Sequence, residues 1–522
     1  MLPQLSPLAQ IEPRLRTLLS ADLYATAWVD PSLDTLTRVF EHLRTLQRIL
    51  HDYVPRRVSG VPVIPGRIRY EWQEGTLMFA DLAGFTRIVE ANAATGNEGA
   101  QVLLQVLNAY FAQMIEVISK SGGDLLEFTG DALLVQFPAE KDYNDTVHAI
   151  RAGLRMQRAM ARFATIETPQ GTYSLQIRVG IHAGRFLTAD IGTPLRMEHV
   201  LLGNAVANTK QTEANGQPGR VCLTLSASDR AQNQFRFESW KPDYCLVVDD
   251  LTDQQLGEYD LTTPSRRPAS QVLMDRSIES LVAEIENAVS RIEPLASYLS
   301  SDVLDLIVES AAHRKIQPAF VTATVIFVNL IGLDKDLYHA EPSEEAGLVA
   351  FFSHAVALIN ATVEARGGVL KKVTYHLDGS DMVIYFGVPN SHTDDSLRAA
   401  NAALAIRSII ARLTPPNVNG RLVALRCKIG MARGPAFAGE IGEPHGRREF
   451  NVLGDTVNAA ARLMLRADAN QIVITEAVHQ EITSRFECES LGSVALKGKT
   501  TPVSIFSLIK PIDSKPSQKY NG

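Results

Sequence analysis

Apolar residues are distributed along this chain in two rhythms. Short unbroken runs, such as 77–82 ("LMFADL") and 323–330 ("ATVIFVNL"), end near a glycine and read as buried strands. Longer stretches, such as 99–123 ("GAQVLLQVLNAYFAQMIEVISKSGG"), carry apolar residues at helical spacing and stop at Gly-Gly. Next come "DLLEF" and "ALLVQF" on either side of Thr129-Gly130-Asp131, which predicts a hairpin. A second helix over 144–164 and a strand over 173–181 follow. The order predicts a mixed α+β layer, a sheet with helices on one side.

The same order occurs twice. "IRVGIHAGRFLTADIG" at 177–192 matches "CKIGMARGPAFAGEIG" at 427–442, and "HVLLGNAVAN" at 199–208 matches "FNVLGDTVNA" at 450–459. Asn329 follows Asp81 by 248 residues, Gly379 follows Gly130 by 249, Gly430 follows Gly180 by 250, and Gly454 follows Gly203 by 251. So constant an offset means two homologous domains, expected over 70–264 and 315–512. Residues 1–69 read as helical, then extended, and suggest a packing or dimerisation helix without chemistry of its own. Residues 265–314 form a linker that becomes helical at "SIESLVAEIENAVSRIEPLASYL", and 513–522 are a polar tail.

Composition narrows the class without naming a chemistry. The 522 residues are 45% hydrophobic and 21% charged, as in a globular protein with ample core. A net charge of −7 gives no footprint for nucleic acid. Four cysteines without CxxC pairing point to a reducing compartment, and the N-terminus lacks the apolar run of a signal peptide. No uncharged apolar run reaches the ~18 residues of a membrane span, so no span and a cytoplasmic location are expected.

The candidate chemistry lies in the turns. Asp81 ends a strand and Asp131 sits at the adjacent hairpin tip, which is the oxygen-rich pairing that hard cations require. Taken singly, Asp81 could instead cap a helix beginning near Gly84, and Asp131 could simply fill a turn. The second copy has Asn329 and Ser380 at these places. It carries instead "GDTVNAAARL", where Asn458 and Arg462 stand four apart on one helical face. The first copy has Ala207 and Gln211 there. The losses are complementary. Two copies paired about a pseudo-twofold axis would give one site with Asp81, Asp131, Asn458 and Arg462, and a second, inert site with Asn329, Ser380, Ala207 and Gln211.

"FADLAGFT", "EFTGDALL" and "FNVLGDTVNAAARL" resemble the motifs of the class III nucleotidyl cyclases, and the tandem arrangement is most similar to their soluble adenylyl cyclase branch. The resemblance implies two ferredoxin-like βαββαβ cores packed as an intramolecular heterodimer. It also implies conversion of ATP to 3′,5′-cyclic AMP and pyrophosphate with two Mg2+ or Mn2+ ions. By resemblance, Asp81, Asp131 and the Leu82 carbonyl bind metal. Arg462 stabilises the transition state and Asn458 orients the ribose. Gly84, Phe85 and Thr86 offer backbone N–H groups to phosphates, and Lys497 and Arg178 are basic phosphate contacts. Lys372 and Asn451 read the base. A lysine donates to adenine N1 and is mismatched to guanine N1, which favours ATP over GTP. Bicarbonate-responsive relatives carry a lysine and an arginine where this chain has Glu127 and Lys210. A glutamate there would repel an anion or pair with Lys210, so bicarbonate activation is expected to be weak or absent. A guanylate cyclase and a non-catalytic nucleotide sensor are the alternatives.

Overall fold

The computed structural model describes residues 8–61, 64–139, 144–257, 277–312, 316–333, 340–376, 379–443, 446–495 and 502–512. The chain divides into two compact units. The first holds Met1–Phe320, Tyr375–Leu377 and Phe437–Leu453; the second holds Val321–Thr374, Asp378–Ala436 and Gly454–Gly522.

In the first unit, helix α1 (Leu33–Tyr53) precedes strand β1 (Arg69–Ala83). Then follow α2 (Phe85–Ala93), α3 (Gly96–Lys120), β2 (Asp124–Thr129), β3 (Ala132–Pro138), α4 (Asp145–Ala159), β4 (Gln176–Gly192) and β5 (Met197–Leu202). Helix α5 (Asn204–Asn215), β6 (Val221–Thr224), β7 (Phe237–Lys241) and β8 (Tyr244–Val247) complete the first cyclic pattern, and α6 (Ile278–Ala296) lies in the linker. The sheet order is β2-β3-β1-β4-β6-β8-β7, with β5 paired to β4. Its first four strands have the ferredoxin-like order, and β1 is antiparallel to both β3 and β4. Leu77, Met78 and Ala80 are fully buried at the centre of β1, which explains its unbroken apolar run. Helix α3 buries Leu103, Leu107, Phe111, Met114 and Ile118, the helical stripe read from sequence.

The helices outside the sheet have a packing role. Helix α1 buries Leu36, Val39, Leu43 and Leu46 and lies against α6. Arg14 holds Glu293 of α6 through Nε at 2.7 Å and Nη2 at 2.6 Å.

In the second unit the pattern recurs as β9 (Ala319–Ile331), α7 (Pro342–Glu364), β10 (Val369–His376), β11 (Gly379–Phe386), α8 (Asp395–Arg412) and β12 (Arg426–Gly442). It continues with β13 (Arg448–Leu453), α9 (Asp455–Arg466), β14 (Ile472–Thr475), α10 (Glu476–Ile482), β15 (Phe486–Val494) and β16 (Val503–Pro511). The order β10-β11-β9-β12-β14-β16-β15, with β13 on β12, repeats that of the first sheet. The end of β12 and all of β13 form a two-stranded arm, 437–453, that belongs to the first unit. Phe437, Ile441 and Leu453 of this arm join the first unit's core.

Two described helices, Gly96–Lys120 and Ser343–Glu364, are long and apolar enough to cross a membrane by length and composition. The apolar residues of each lie largely in the core: Leu103, Leu107 and Phe111 in the first, and Leu348, Phe352 and Ile359 in the second.

Candidate functional site

The register of β1 decides where Asp81 lies. Ala80 stands opposite Leu133 of β3, so Asp81 comes alongside the turn that carries Asp131. On its other side Asp81 is directly opposite Arg178 of β4. Arg178 Nη2 donates to Asp81 Oδ2 at 2.7 Å, and its Nε lies 2.8 Å from Glu213 Oε1 on α5. Burial and the charge on Asp81 push the Asp131 carboxyl up to about 8. The same two carboxylates raise the buried Tyr110 phenol, after a larger effect of burial, and among the described residues the Tyr110 hydroxyl has no hydrogen-bond partner.

Two carboxylates that repel each other at a half-buried turn call for positive charge, and their oxygens suit a hard divalent cation. The described residues hold no group of three or more His, Cys, Asp or Glu able to bind metal. A cation here would therefore take its remaining ligands from carbonyls such as that of Leu82, from water or from a bound phosphate. Asp81 is not a helix cap: α2 starts at Phe85 with Gly84 at the cap position, and no side chain caps it. Gly84 has φ +94°, the left-handed turn that aims the backbone of Phe85 and Thr86 into the start of α2.

Asn451 lies on β13 within the same unit, opposite Gly439 and 3% exposed. Its Nδ2 donates to the Gly130 carbonyl at 3.3 Å, and its Oδ1 accepts from Val452 N–H at 3.0 Å. A residue of the second repeat thus touches the turn that carries Asp131. Both ends of the amide are engaged by protein.

In the second unit, α9 presents Asn458 to solvent and leaves Arg462 half-buried, with its Nη1 4.0 Å from Asp455 Oδ1. The helix approaches β12 closely because position 430 is glycine: a Cβ there would lie 2.2 Å from the Ala460 carbonyl oxygen. Thr456 Oγ1 fastens the start of α9 to the Pro435 carbonyl at 2.8 Å. Lys372 is half-buried on β10. Asn329 donates through Nδ2 to Asp381 Oδ1 at 2.8 Å, and Asn329, Ser380 and Asp381 are all buried. Asp381, beside the expected Ser380, was not singled out by sequence. Lys497 lies outside the described residues.

Ala207, Lys210 and Gln211 share α5 in the first unit. Buried Lys210 donates through Nζ to the Tyr375 carbonyl at 2.6 Å and lies 5.5 Å from the centre of the Phe79 ring. Glu127 accepts from Thr129 Oγ1 at 2.9 Å.

Comparison with known proteins agrees with this architecture. The profile of the adenylate and guanylate cyclase catalytic domain matches residues 69–245 and again 319–510. Adenylate cyclase type 10 of Oryctolagus cuniculus is 24% identical over 82% of this chain, which covers 25% of that protein. The human protein of the same name is 23% identical over 77% of the chain, which covers 24% of it. The chain therefore spans about a quarter of the length of these relatives. Among solved structures, a class III adenylyl cyclase-like ATP-binding protein from Pseudomonas aeruginosa aligns over 85% of this chain and 93% of its own. Its TM-score is 0.53 at 15% identity. With both matched spans built on one strand order, the chain is a member of the adenylate and guanylate cyclase catalytic domain family and carries that domain twice.

Proposed function

We propose that the chain is an adenylate cyclase that converts ATP to 3′,5′-cyclic AMP and pyrophosphate at one site drawing residues from both repeats. The observation that carries this reading is the hydrogen bond from Asn451, in the second repeat, to Gly130 in the acidic turn of the first. Asp81, Asp131 and the Leu82 carbonyl would hold two Mg2+ or Mn2+ ions. When bound, these supply acidity at the ribose 3′-hydroxyl and charge neutralisation at the leaving pyrophosphate. The backbone of Gly84, Phe85 and Thr86 binds the terminal phosphates, with Lys497 and Arg178 as basic contacts. Asn458 orients the ribose and Arg462 meets the charge that develops on the α-phosphate. Lys372 and Asn451 select adenine, with the Asn451 amide exchanging a protein contact for the base.

The domain limits 70–264 and 315–512 and the inert character of Asn329, Ser380, Ala207 and Gln211 belong to the same reading. Asn329 supports it: its amide is spent on Asp381, so the second repeat offers no pair of free carboxylates there.

A second reading is a module that binds nucleotide without turning it over. The Arg178–Asp81 pair favours it, because a guanidinium already neutralises one carboxylate. The two are separated by incubating the purified chain with Mn2+ and either ATP or GTP and resolving the products. The cyclase reading expects cyclic AMP and pyrophosphate in equal amounts, with ATP preferred. Nucleotide binding by folded protein without any cyclic product supports the second reading and overturns the first.

A further inference from the structure

The polar groups at the ends of the helices outside the sheets repeat as the domains do. Tyr53, the last residue of α1, donates its hydroxyl to Glu440 Oε1 at 2.6 Å. Tyr298, just beyond α6, donates its hydroxyl to Asp190 Oδ1 at 2.9 Å. Glu440 follows Asp190 by 250 residues, the offset of the duplication itself. An arginine completes each acid: Arg69 Nε donates to Asp190 at 2.7 Å, and Arg448 Nη1 lies 3.4 Å from Glu440. Each repeat's β-arm is therefore fastened by a tyrosine from a helix outside its sheet.

The two fasteners differ in what their arms carry. The arm at Asp190 bears no base contact. The arm at Glu440 bears Asn451. It is also held by Asp52, which is fully buried, with its Oδ2 3.3 Å from Arg448 Nη2 and its carbonyl accepting from Arg447 Nη1 at 3.2 Å. Four residues on, Arg56 grips the first repeat: its N–H donates to Asp124 Oδ2 at 3.2 Å and its Nη2 to Ser119 Oγ at 3.0 Å. Residues 52–56 thus join the start of β2, whose hairpin carries Gly130 and Asp131, to the arm that lays Asn451 on Gly130.

We propose that Asp52 and Tyr53 are positioning residues for Asn451, and that the N-terminal helix thereby sets base selectivity. The selectivity part rests on the proposed role of Asn451 at the nucleotide; the fastening of the arm does not.

The test compares Tyr53→Phe with Tyr298→Phe in the full chain. Each removes one hydroxyl bonded to a carboxylate and leaves the ring in place. Amide hydrogen exchange reads the fastening whether or not the protein turns over nucleotide. Tyr53→Phe is expected to speed exchange over 437–453 by about tenfold, the scale of one hydrogen bond to a charged group. Tyr298→Phe should do so over 187–202 instead. ATP and GTP are then compared by kcat/KM, or by calorimetric affinity if the wild type proves inactive. Tyr53→Phe should lower the ATP preference mainly through KM, and Tyr298→Phe should leave it as in the wild type. Unchanged exchange at 437–453 in Tyr53→Phe overturns the fastening. Faster exchange with the wild-type ATP preference overturns the link to Asn451. If Tyr53→Phe does not fold, Asp52→Asn is read in the same way.

Discussion

Replacing Gly430 with alanine tests how closely the α9 helix must sit. The added Cβ would lie 2.2 Å from both the Ala460 carbonyl oxygen and the Met464 nitrogen, and 2.9 Å from the Leu463 carbonyl carbon. All three are backbone atoms of one helix, so no side chain can turn aside. Ordinary contact needs roughly 3.4 Å, so the helix must retreat by about 1 Å. Asn458 and Arg462 retreat with it. Displacement of that size costs about a hundredfold in rate when it misplaces groups that act on the transition state. The strain should also lower stability by about 1–3 kcal/mol. The assay is kcat for cyclic AMP formation at saturating Mn-ATP, with a thermal melt on the same preparation. A folded Gly430→Ala protein with kcat within a few-fold of wild type would refute the reasoning. The first repeat has the same construction: a Cβ at Gly180 would lie 2.2 Å from the Glu213 nitrogen on α5.

Two further outcomes follow from buried charge. Asp190 is 2% exposed, and His199, Arg69 and Tyr298 all bond its carboxylate. Burial opposes its ionisation, but His199 and Arg69 prevail and hold its pKa at about 2, below the ordinary carboxylate range. A lowered folded-state pKa gives stability that is present above the unfolded value and lost as pH falls through the folded one. Asp190→Asn should therefore be destabilised most above pH 4, and its deficit should shrink by about 2 kcal/mol between pH 4 and pH 2. Denaturant titrations at both pH values check this, and a deficit that does not change with pH would contradict it. Bicarbonate at fixed pH and ionic strength should leave cyclic AMP formation unchanged, because Lys210 is already engaged by the Tyr375 carbonyl and position 127 is a glutamate rather than a lysine. A clear stimulation would show that the anion can still enter.

The duplication made much of this legible in sequence. Constant offsets aligned Asp81 with Asn329 and Gly180 with Gly430, and strand and helix periodicity supplied the sheet around them. The partners of those residues could not be read in the same way. Glu213 reaches Arg178 only because glycine at 180 lets α5 close on β4. Asp381 reaches Asn329 only through the β9–β11 register, which puts the two opposite each other. Tyr53 meets Glu440 across 387 residues, a separation at which no local pattern carries information. Residues 1–69 therefore looked chemically silent, although α1 within them ends at Tyr53, which holds the arm that carries Asn451.

Cyclic AMP formation by Asp81→Ala and by Arg462→Ala, each shown by melting to be folded, bears most directly on a site built from both repeats. A shared site predicts that either change alone lowers kcat by about a hundredfold or more, the cost of losing a preorganised charge-stabilising group. A folded Arg462→Ala protein with wild-type turnover would contradict it, because the acidic turn of the first repeat would then be working without the second.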